Sequence, residues 1–283
     1  MTNRENDNKY LSIFDKIRFG VIIRSIGERT EGLCYDSCLK AIPKEHIHIV
    51  KNYYPSYRAY IEMFRIAIDQ QYDWYLALDA DTVLCPNWLS LIADKISNYG
   101  DSKLFCFGHS VKDKFLGTID RGNHCYNGMY SQKAIEGVLK SIKTTLKPEG
   151  GIKKHIEGTY SKRFPEQLIG YHGYEQYYKD IYYRFWNRRR RKPSPELIKL
   201  ISKNLNCLQG TDRENEVGLL GWNSYNLMDH ILTRFSPKIS NLSATSKKHE
   251  KIRIKLDKKN IMEKDELKMN YDQFIEKYGS SDF

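Results

Sequence analysis

The first 108 residues alternate between short apolar runs and stretches in which apolar residues recur at steps of three and four. The apolar runs lie at residues 18–26, 46–52, 74–78 and 103–108 and are typical of buried strands. The stretches between them are typical of amphipathic helices, because this spacing puts the apolar side chains on one helix face. Strands that alternate with helices predict a mostly parallel central sheet flanked by helices, so we expect an α/β fold.

The chain is strongly basic, with a formal net charge of +11 and a pI of about 9.2. Such a protein attracts anions, which include nucleotides, nucleic acids and acidic membrane surfaces. No apolar run approaches the roughly 18 residues that a membrane-spanning helix needs, and the N-terminal residues lack the apolar core of a secretory signal. The six Cys include no Cys-x-x-Cys pair, so we expect reduced thiols in the cytoplasm rather than a structural zinc site.

Asp79 and Asp81 directly follow the apolar run at residues 74–78. In open α/β sheets ligands bind at the carboxyl ends of strands, and residues two apart in an extended chain point to the same side. Two neighbouring carboxylates repel each other unless a cation lies between them, and Mg²⁺ and Mn²⁺ prefer such oxygen ligands. The pair therefore predicts a divalent metal site that bridges to a diphosphate. The alternative is a simple turn in which both aspartates cap the next segment.

The stretch from residue 72 to residue 89 combines an aromatic-rich strand, the Asp-Ala-Asp motif, a short apolar turn, a proline and the start of a helix. This order resembles the metal-binding strand of GT-A fold glycosyltransferases, in particular glycosyltransferase family 2. The resemblance covers residues 19–96 and is weaker in the middle of the chain. It implies a GT-A, Rossmann-like nucleotide-diphospho-sugar transferase fold with a helical and irregular C-terminal region.

The resemblance also implies an activity. The expected enzyme is a metal-dependent glycosyltransferase that takes a sugar from a nucleotide-diphosphate donor, with a UDP-sugar as the first candidate. Its expected acceptor is a glycan or a lipid-linked saccharide, as in polysaccharide biosynthesis, and its expected stereochemical outcome is inversion. The expected cofactor is Mn²⁺ or Mg²⁺.

In family 2 the loop after the first strand cradles the nucleotide, and here that loop carries two arginines beside Gly27. For either arginine taken singly, a solvated turn is the competing interpretation. Asn52 occupies the place where this family carries an acidic residue that reads the base, which leaves the base open. The residues expected to contact the nucleotide diphosphate are Arg24, Ser25, Arg29, Arg58 and Asp79. Those expected to bind the metal are Asp79, Asp81 and His230, with His172 and His249 as other candidates for the third ligand.

Family 2 enzymes also carry an acidic residue at the start of a later helix, where it takes the proton of the acceptor hydroxyl. Glu175 is the matching residue, although Gln176 stands where the family has a second acid. One carboxylate is sufficient for this proton transfer. The competing interpretation is a glutamate favoured at a helix N-terminus by the helix dipole. The side chains expected to bind the acceptor saccharide are Asp120, Arg121, His124, Tyr126 and His172.

These assignments divide the chain into three parts. Residues 1–17 are expected to form a polar N-terminal extension, and residues 18–235 the GT-A catalytic domain. Within that domain, residues 18–110 would be the nucleotide-binding half and residues 111–235 the acceptor half. Residues 236–283 are expected to form a charged C-terminal tail with a terminal helix.

A basic and aromatic segment, from Tyr177 to Lys192, suggests a further partner. Aromatic rings in the headgroup zone and arginines on lipid phosphates would hold the protein at an anionic membrane surface, as a peripheral protein at its inner face. A solvated charge run is the competing interpretation. A nucleic-acid-binding protein without catalysis also suits the net charge, but it leaves the Asp-Ala-Asp motif unexplained. A sugar nucleotidyltransferase is disfavoured, because the loop after the first strand has a single glycine.

Overall fold

A computed structural model describes residues 12–53, 56–99, 103–119, 123–142, 152–156, 159–190, 193–207, 213–224 and 245–279. The strands are β1 (Phe19–Ser25), β2 (Ile47–Lys51), β3 (Trp74–Asp79), β4 (Thr82–Leu84), β5 (Leu104–Asp113), β6 (Gly117–Ile119), β7 (His124–Asn127) and β8 (Tyr160–His172). The α-helices are α1 (Glu31–Leu39), α2 (Ser56–Asp69), α3 (Trp88–Tyr99), α4 (Ser131–Ser141), α5 (Tyr178–Arg190), α6 (Pro195–Cys207), α7 (Arg213–Asn223), α8 (Thr245–Asp257) and α9 (Tyr271–Tyr278).

The described strands form one mixed sheet in the order β2-β1-β3-β7-β5-β8-β4, with β6 paired to β5. Strand β1 pairs in parallel with both β2 and β3. The pairs β3–β7, β5–β7 and β4–β8 are antiparallel. The α/β class expected from the sequence is therefore confirmed, whereas a mostly parallel sheet is wrong beyond the first three strands, because β7 and β8 insert with the opposite direction.

Helices α2 and α4 pack on the sheet through a hydrophobic cluster. Of the periodic positions that predict the apolar face of α2, Tyr60, Met63, Phe64 and Ala67 are buried, whereas Ile68 is 39% exposed. Beneath them, Tyr75 of β3 stacks on Tyr126 of β7 with ring centroids 5.8 Å apart. Burial of these large rings fixes β3 against the helices and thereby fixes the position at which β3 ends.

Two compact units divide the chain. The sheet unit comprises residues 1–112, 118–172 and 268–283, and the helical unit comprises residues 113–117 and 173–267. These units are not bounded at residues 110 or 235, where the sequence suggests functional divisions, so those divisions stay a prediction. The C-terminal residues from 268 onward belong to the sheet unit rather than to a separate tail.

Helix α9 anchors the C-terminal part of the sheet unit next to β4. The Tyr271 hydroxyl donates to the carbonyl of Leu84 at 3.0 Å, and Phe274 is fully buried. Asn270 caps the helix in a capping box with Gln273. The terminal helix expected from the sequence is present and holds the strand that follows Asp81.

In the helical unit, α5, α6, α7 and α8 pack around a second hydrophobic cluster that includes Phe185, Leu205 and Leu256. Two carboxylates are buried there. Asp113 pairs with Arg184, and its Oδ1 also accepts the backbone N–H of Phe115 at 3.0 Å. Glu214 accepts hydrogen bonds from two lysines, one on each carboxylate oxygen. The fold of this unit thus includes buried ion pairs as well as apolar packing.

Candidate functional site

The Asp-Ala-Asp motif lies where β3 ends, at the carboxyl edge of the parallel part of the sheet. Arg24 and Asp79 are direct neighbours in the β1–β3 register. The Arg24 guanidinium donates to Asp79 Oδ1 at 2.7 Å, and its central carbon lies 4.3 Å from the centroid of the Tyr60 ring. Arg24, expected to contact a nucleotide, is therefore held between an aromatic ring and the first aspartate of the motif.

Hydrogen bonds to the backbone fix the motif turn from three sides. The N–H of Ala80 donates to the carbonyl of Arg24 at 3.0 Å, and the Thr30 hydroxyl donates to the carbonyl of Ala80 at 3.0 Å. The N–H of Asp79 donates to Oδ1 of Asn123 at 3.3 Å. Since Ala80 itself is fully buried, the backbone that carries the two aspartates is fixed in position.

The second aspartate of the motif lies beside a histidine from a distant strand. Strand β4 pairs antiparallel with β8, which places Thr82 opposite His172. His172 Nε2 lies 3.2 Å from Asp81 Oδ2, and the two side chains are 21% and 26% exposed. The sequence assigned His172 to the acceptor and kept it as an alternative metal ligand. The structure places it next to the Asp-Ala-Asp motif.

The loop after β1 contains a group of acids that the sequence interpretation missed. The Ser25 hydroxyl lies 3.0 Å from Glu28 Oε2, contacts Glu31 Oε2, and accepts the N–H of Gly27 at 3.0 Å. A hydroxyl has one hydrogen and donates to one carboxylate only. Burial, and after it the charge of Asp81, raises the pKa of Glu28 to about 7. The carboxyl group of Glu28 therefore holds a proton below about pH 7.

Strand β2 ends beside the same loop. Lys51 donates to Glu31 Oε1 at 2.6 Å, and the N–H of Asn52 donates to the carbonyl of Ser25 at 2.9 Å. Asn52 has φ of 61°, a left-handed conformation that asparagine tolerates better than most residues. Asn52 thus lies next to the loop after β1, and its place near a nucleotide base stays a prediction.

The remaining residues that the sequence assigned to the site differ in burial and in location. Arg58 is exposed in the first turn of α2, and Arg29 is half-buried in the loop after β1. Tyr126 is 2% exposed within the hydrophobic core, and its contact with an acceptor saccharide stays a prediction. His124 is half-buried, with its ring 5.8 Å from that of Tyr126. Asp120, Arg121 and His230 lie outside the described residues.

Glu175, the expected general base, belongs to the helical unit. It has φ of 53°, which is uncommon for a residue other than glycine. It lies in a turn before α5, which begins at Tyr178, rather than in the first turn of that helix. Backbone strain of this kind is often found at functional positions. The role of Glu175 stays a prediction.

Three or more His, Cys, Asp or Glu side chains that could share one metal ion are not found together within the described ranges. Asp81 and His172 are two neighbouring side chains that could both contact an ion, and Asp79 is the nearby second carboxylate of the motif. The expected third ligand, His230, has no described position. In the same ranges, no helix is long and apolar enough to cross a membrane.

No protein-family model and no curated protein matches the chain. Solved structures that it resembles include glycosyltransferases and nucleotidyltransferases. Staphylococcus aureus TarS 1-349 in complex with UDP-GlcNAc is 12% identical, with 86% of this chain and 92% of that chain covered, at a TM-score of 0.35.

A glycosyltransferase involved in glycosylation of the major capsid of PBCV-1 is 11% identical, with 55% and 93% covered, at a TM-score of 0.38. The 4-diphosphocytidyl-2C-methyl-D-erythritol synthase of Anaerococcus prevotii is 12% identical, with 56% and 89% covered, at a TM-score of 0.40. All three TM-scores lie below 0.5, so the functional conclusion has to rest on the residues of this chain.

Proposed function

We propose that this chain is a glycosyltransferase that moves a sugar from a nucleotide-diphosphate donor to a saccharide hydroxyl, with a divalent cation bound at Asp81. One observation carries the proposal. Asp79 and Asp81 stand in a turn fixed by backbone hydrogen bonds at the carboxyl edge of β1 and β3, with Arg24 beside one aspartate and His172 beside the other. This edge is where open α/β sheets bind their ligands.

The spacing of Asp81 and His172 fits a shared metal ion. Two adjacent ligands of an octahedral ion with bonds of about 2.1 Å lie about 3.0 Å apart. Asp81 Oδ2 and His172 Nε2 are separated by 3.2 Å, so both can bind one ion after a small movement, provided that His172 is neutral. When bound, the cation neutralises the charge that develops on the leaving diphosphate.

The side chains of this chain then have separate tasks. Arg24 holds the Asp79 carboxylate in one orientation, and Asp81 and His172 would hold the cation. The acceptor oxygen bonds to the anomeric carbon while the bond from that carbon to the diphosphate oxygen breaks, and the diphosphate leaves with the electron pair. The acceptor proton passes to a carboxylate, for which Glu175 is the candidate. A UDP-sugar donor and inversion both rest on the family 2 resemblance.

The acids around Ser25 favour sugar transfer over nucleotidyl transfer. A nucleotidyltransferase has to hold a nucleoside triphosphate with backbone N–H groups and cations in the loop after its first strand. In this chain Glu28 lies in that loop, Glu31 begins the next helix, and both contact Ser25. The carboxylate of Glu31, joined by that of Glu28 above its pKa of about 7, repels a triphosphate more strongly than the less charged diphosphate of a sugar donor. Product analysis separates the two functions, because sugar transfer releases a nucleoside diphosphate and nucleotidyl transfer releases pyrophosphate.

Calorimetric titration of UDP and of GDP, each with and without Mn²⁺, tests the donor site. The variants are Asp81→Asn and the control Asp69→Asn, which removes an exposed carboxylate at the end of α2. We expect one nucleotide to bind only with Mn²⁺, the Asp81→Asn variant to bind at least tenfold more weakly, and the control to bind like the wild type. Absence of any metal-dependent binding in the wild type, or unchanged binding by Asp81→Asn, would contradict the proposal.

A further inference from the structure

Most of the net positive charge lies in the helical unit. Residues 113–117 and 173–267 contain 21 Lys and Arg against 13 Asp and Glu, which gives +8 of the total +11. The sheet unit, which contains the Asp-Ala-Asp motif, is therefore close to neutral for its size. A charge imbalance of this kind indicates an anionic partner for the helical unit that is separate from the nucleotide.

Helix α8 shows how part of this charge is presented. From residue 250 onward, where side chains of α8 are described, Ile252 and Leu256 are buried, and in the turn after the helix Ile261 is buried too. The remaining side chains from residue 250 to residue 260 are exposed, and they include Lys251, Arg253, Lys255, Lys258 and Lys259 against Glu250 and Asp257. One side of α8 is thus packed on the helical unit while the rest is cationic surface.

Two large apolar side chains interrupt this cationic surface. Ile254 is 49% exposed, and Met262, just after the helix, is 82% exposed. Helical spacing puts Lys251, Ile254 and Lys258 on one stripe, because residues three and four apart are neighbours on a helix surface. We call Lys251, Arg253, Ile254, Lys258 and Met262 the α8 surface.

The aromatic side chains of α5 are, in contrast, largely used inside the helical unit. Tyr182 and Phe185 are buried in its hydrophobic cluster. Tyr183 stacks on Trp186 at 5.9 Å, and Arg190 lies over the Trp186 ring at 5.4 Å. The basic and aromatic segment that the sequence suggested for membrane contact therefore offers fewer exposed apolar groups than the α8 surface.

We propose that the α8 surface docks on an anionic lipid bilayer. Lysine and arginine side chains lie at the level of lipid phosphates, and flexible aliphatic side chains such as Ile and Met enter the boundary with the acyl chains. The positive charge of this surface complements the lipid phosphates, and its exposed aliphatic groups complement the acyl chains. Surfaces that bind single-stranded nucleic acids present aromatic rings on which bases stack, and the exposed apolar groups of the α8 surface are aliphatic.

Vesicle flotation with the full-length protein tests this surface. Vesicles of phosphatidylcholine alone are compared with vesicles that also contain phosphatidylglycerol. One double variant, Ile254→Ser with Met262→Ser, removes the aliphatic groups, and another, Lys251→Gln with Lys258→Gln, removes charge. The matched controls lie in the sheet unit: Met129→Ser, at a 64% exposed methionine, and Lys133→Gln with Lys140→Gln on the exposed side of α4.

We expect the wild type to float only with anionic vesicles and to be released by salt. Each lysine removed should lower the partition constant about fivefold, so the charge variant should bind roughly 25-fold more weakly. The aliphatic variant should lose at least tenfold, because the transfer of each methylene to an apolar environment is favourable. Both controls should bind like the wild type, and all variants should keep the wild-type melting temperature because the substituted side chains are exposed.

Three results would overturn the proposal. The first is equal flotation with neutral and anionic vesicles, which would remove the role of the charge. The second is wild-type flotation by both α8 variants, which would move the contact to another surface. The third is tight binding to a short RNA oligonucleotide without flotation, which would make a nucleic acid the partner. None of these results depends on nucleotide binding, so this proposal and the proposed transferase function can fail separately.

Discussion

The two units of the chain treat their charged side chains differently. In the helical unit, Asp113 and Glu214 have side chains that are 0% and 2% exposed, and each bonds to protein donors through both carboxylate oxygens. In the sheet unit, Asp79 and Asp81 have side chains that are 48% and 26% exposed, the first beside Arg24 and the second beside His172. Asp113 and Glu214 are buried in the interior, whereas Asp79 and Asp81 remain accessible to a ligand.

This difference separates carboxylates that stabilise the fold from carboxylates that solvent can reach. A buried carboxylate with two cationic partners cannot exchange them for a ligand without leaving charges unpaired in the interior. A partly exposed carboxylate beside one partner loses little when that partner moves, because water compensates. We therefore expect substitutions in the helical unit to affect folding, and substitutions at the Asp-Ala-Asp motif to affect binding.

The largest expected effect is on the stability of the helical unit. Glu214→Gln leaves the charges of Lys114 and Lys264 without their carboxylate partner, so the free energy of unfolding should fall by about 3 kcal/mol. Asp81→Asn should lower it by less than about 1 kcal/mol, because both members of its pair are partly exposed. Urea unfolding followed by circular dichroism measures both values.

A neighbouring glutamate serves as the control for Glu214. Glu216 lies on the same helix, is 53% exposed and faces Arg213 at 3.8 Å. Glu216→Gln should change the free energy of unfolding by less than about 0.5 kcal/mol. Equal losses for Glu214→Gln and Asp81→Asn would show that burial does not distinguish the two kinds of carboxylate in this chain.

The parts of the fold that could be predicted from the sequence are those with strong local patterns. Strands β1 and β3 are continuous apolar runs, and α2 has its buried residues at helical spacing. Strand β7 has four residues, and β8 begins with exposed polar side chains, so neither has an apolar run or a clear alternation. Helix α8 was missed for a similar reason, since its exposed positions are mostly lysine and arginine. Pairing with distant strands, or packing on other helices, forms these elements.

The candidate site likewise divides into residues with a local sequence signal and residues whose proximity depends on the tertiary fold. Asp79 and Asp81 could be predicted because they directly follow a buried strand. The proximity of His172 to Asp81 could not, because it depends on the pairing of β4 with β8. Glu28 carried a weak signal in the sequence, since it lies three residues after Ser25 in the loop that follows β1. Its raised pKa depends on burial and on Asp81, which are tertiary effects.

A buried imidazole group, that of His109, extends the comparison. His109 is 1% exposed, and neither ring nitrogen has a hydrogen-bond partner among the described residues. Burial, and after it the charge of Lys95, lowers the pKa of His109 to about 3. Below pH 6.5, the usual pKa of histidine, the unfolded chain binds a proton at His109 while the folded chain does not. The contribution of neutral His109 to stability is therefore fully present above pH 6.5 and is lost as the pH falls towards 3.

The loss due to His109 should reach about 2 kcal/mol at pH 5. His109→Phe removes the titrating group and keeps an aromatic ring against Phe107, so its stability should depend less on pH between 6.5 and 5. Urea unfolding at several pH values measures this slope. The exposed His155 provides the control, because His155→Phe should leave the slope unchanged. A wild-type slope in His109→Phe would show that His109 does not stay neutral in the folded protein.

The smallest expected effect concerns Glu28, which is intermediate between the two kinds of carboxylate because it is half-buried and lies near Asp81. Its pKa is raised from 4.5 to about 7, so between these pH values the folded chain holds a proton that the unfolded chain has released. Stability due to this group therefore falls as the pH rises from 4.5 to 7 and changes little above that.

Glu28→Gln keeps a hydrogen-bond donor next to Ser25 without a charge. Its free energy of unfolding should exceed that of the wild type by about 1–2 kcal/mol at pH 8 and should be about the same at pH 4. Urea unfolding of both proteins at these two pH values measures this difference in the free energy of unfolding. A variant that is less stable than the wild type at pH 8 would mean that Glu28 is ionised and paired, like the carboxylates of the helical unit.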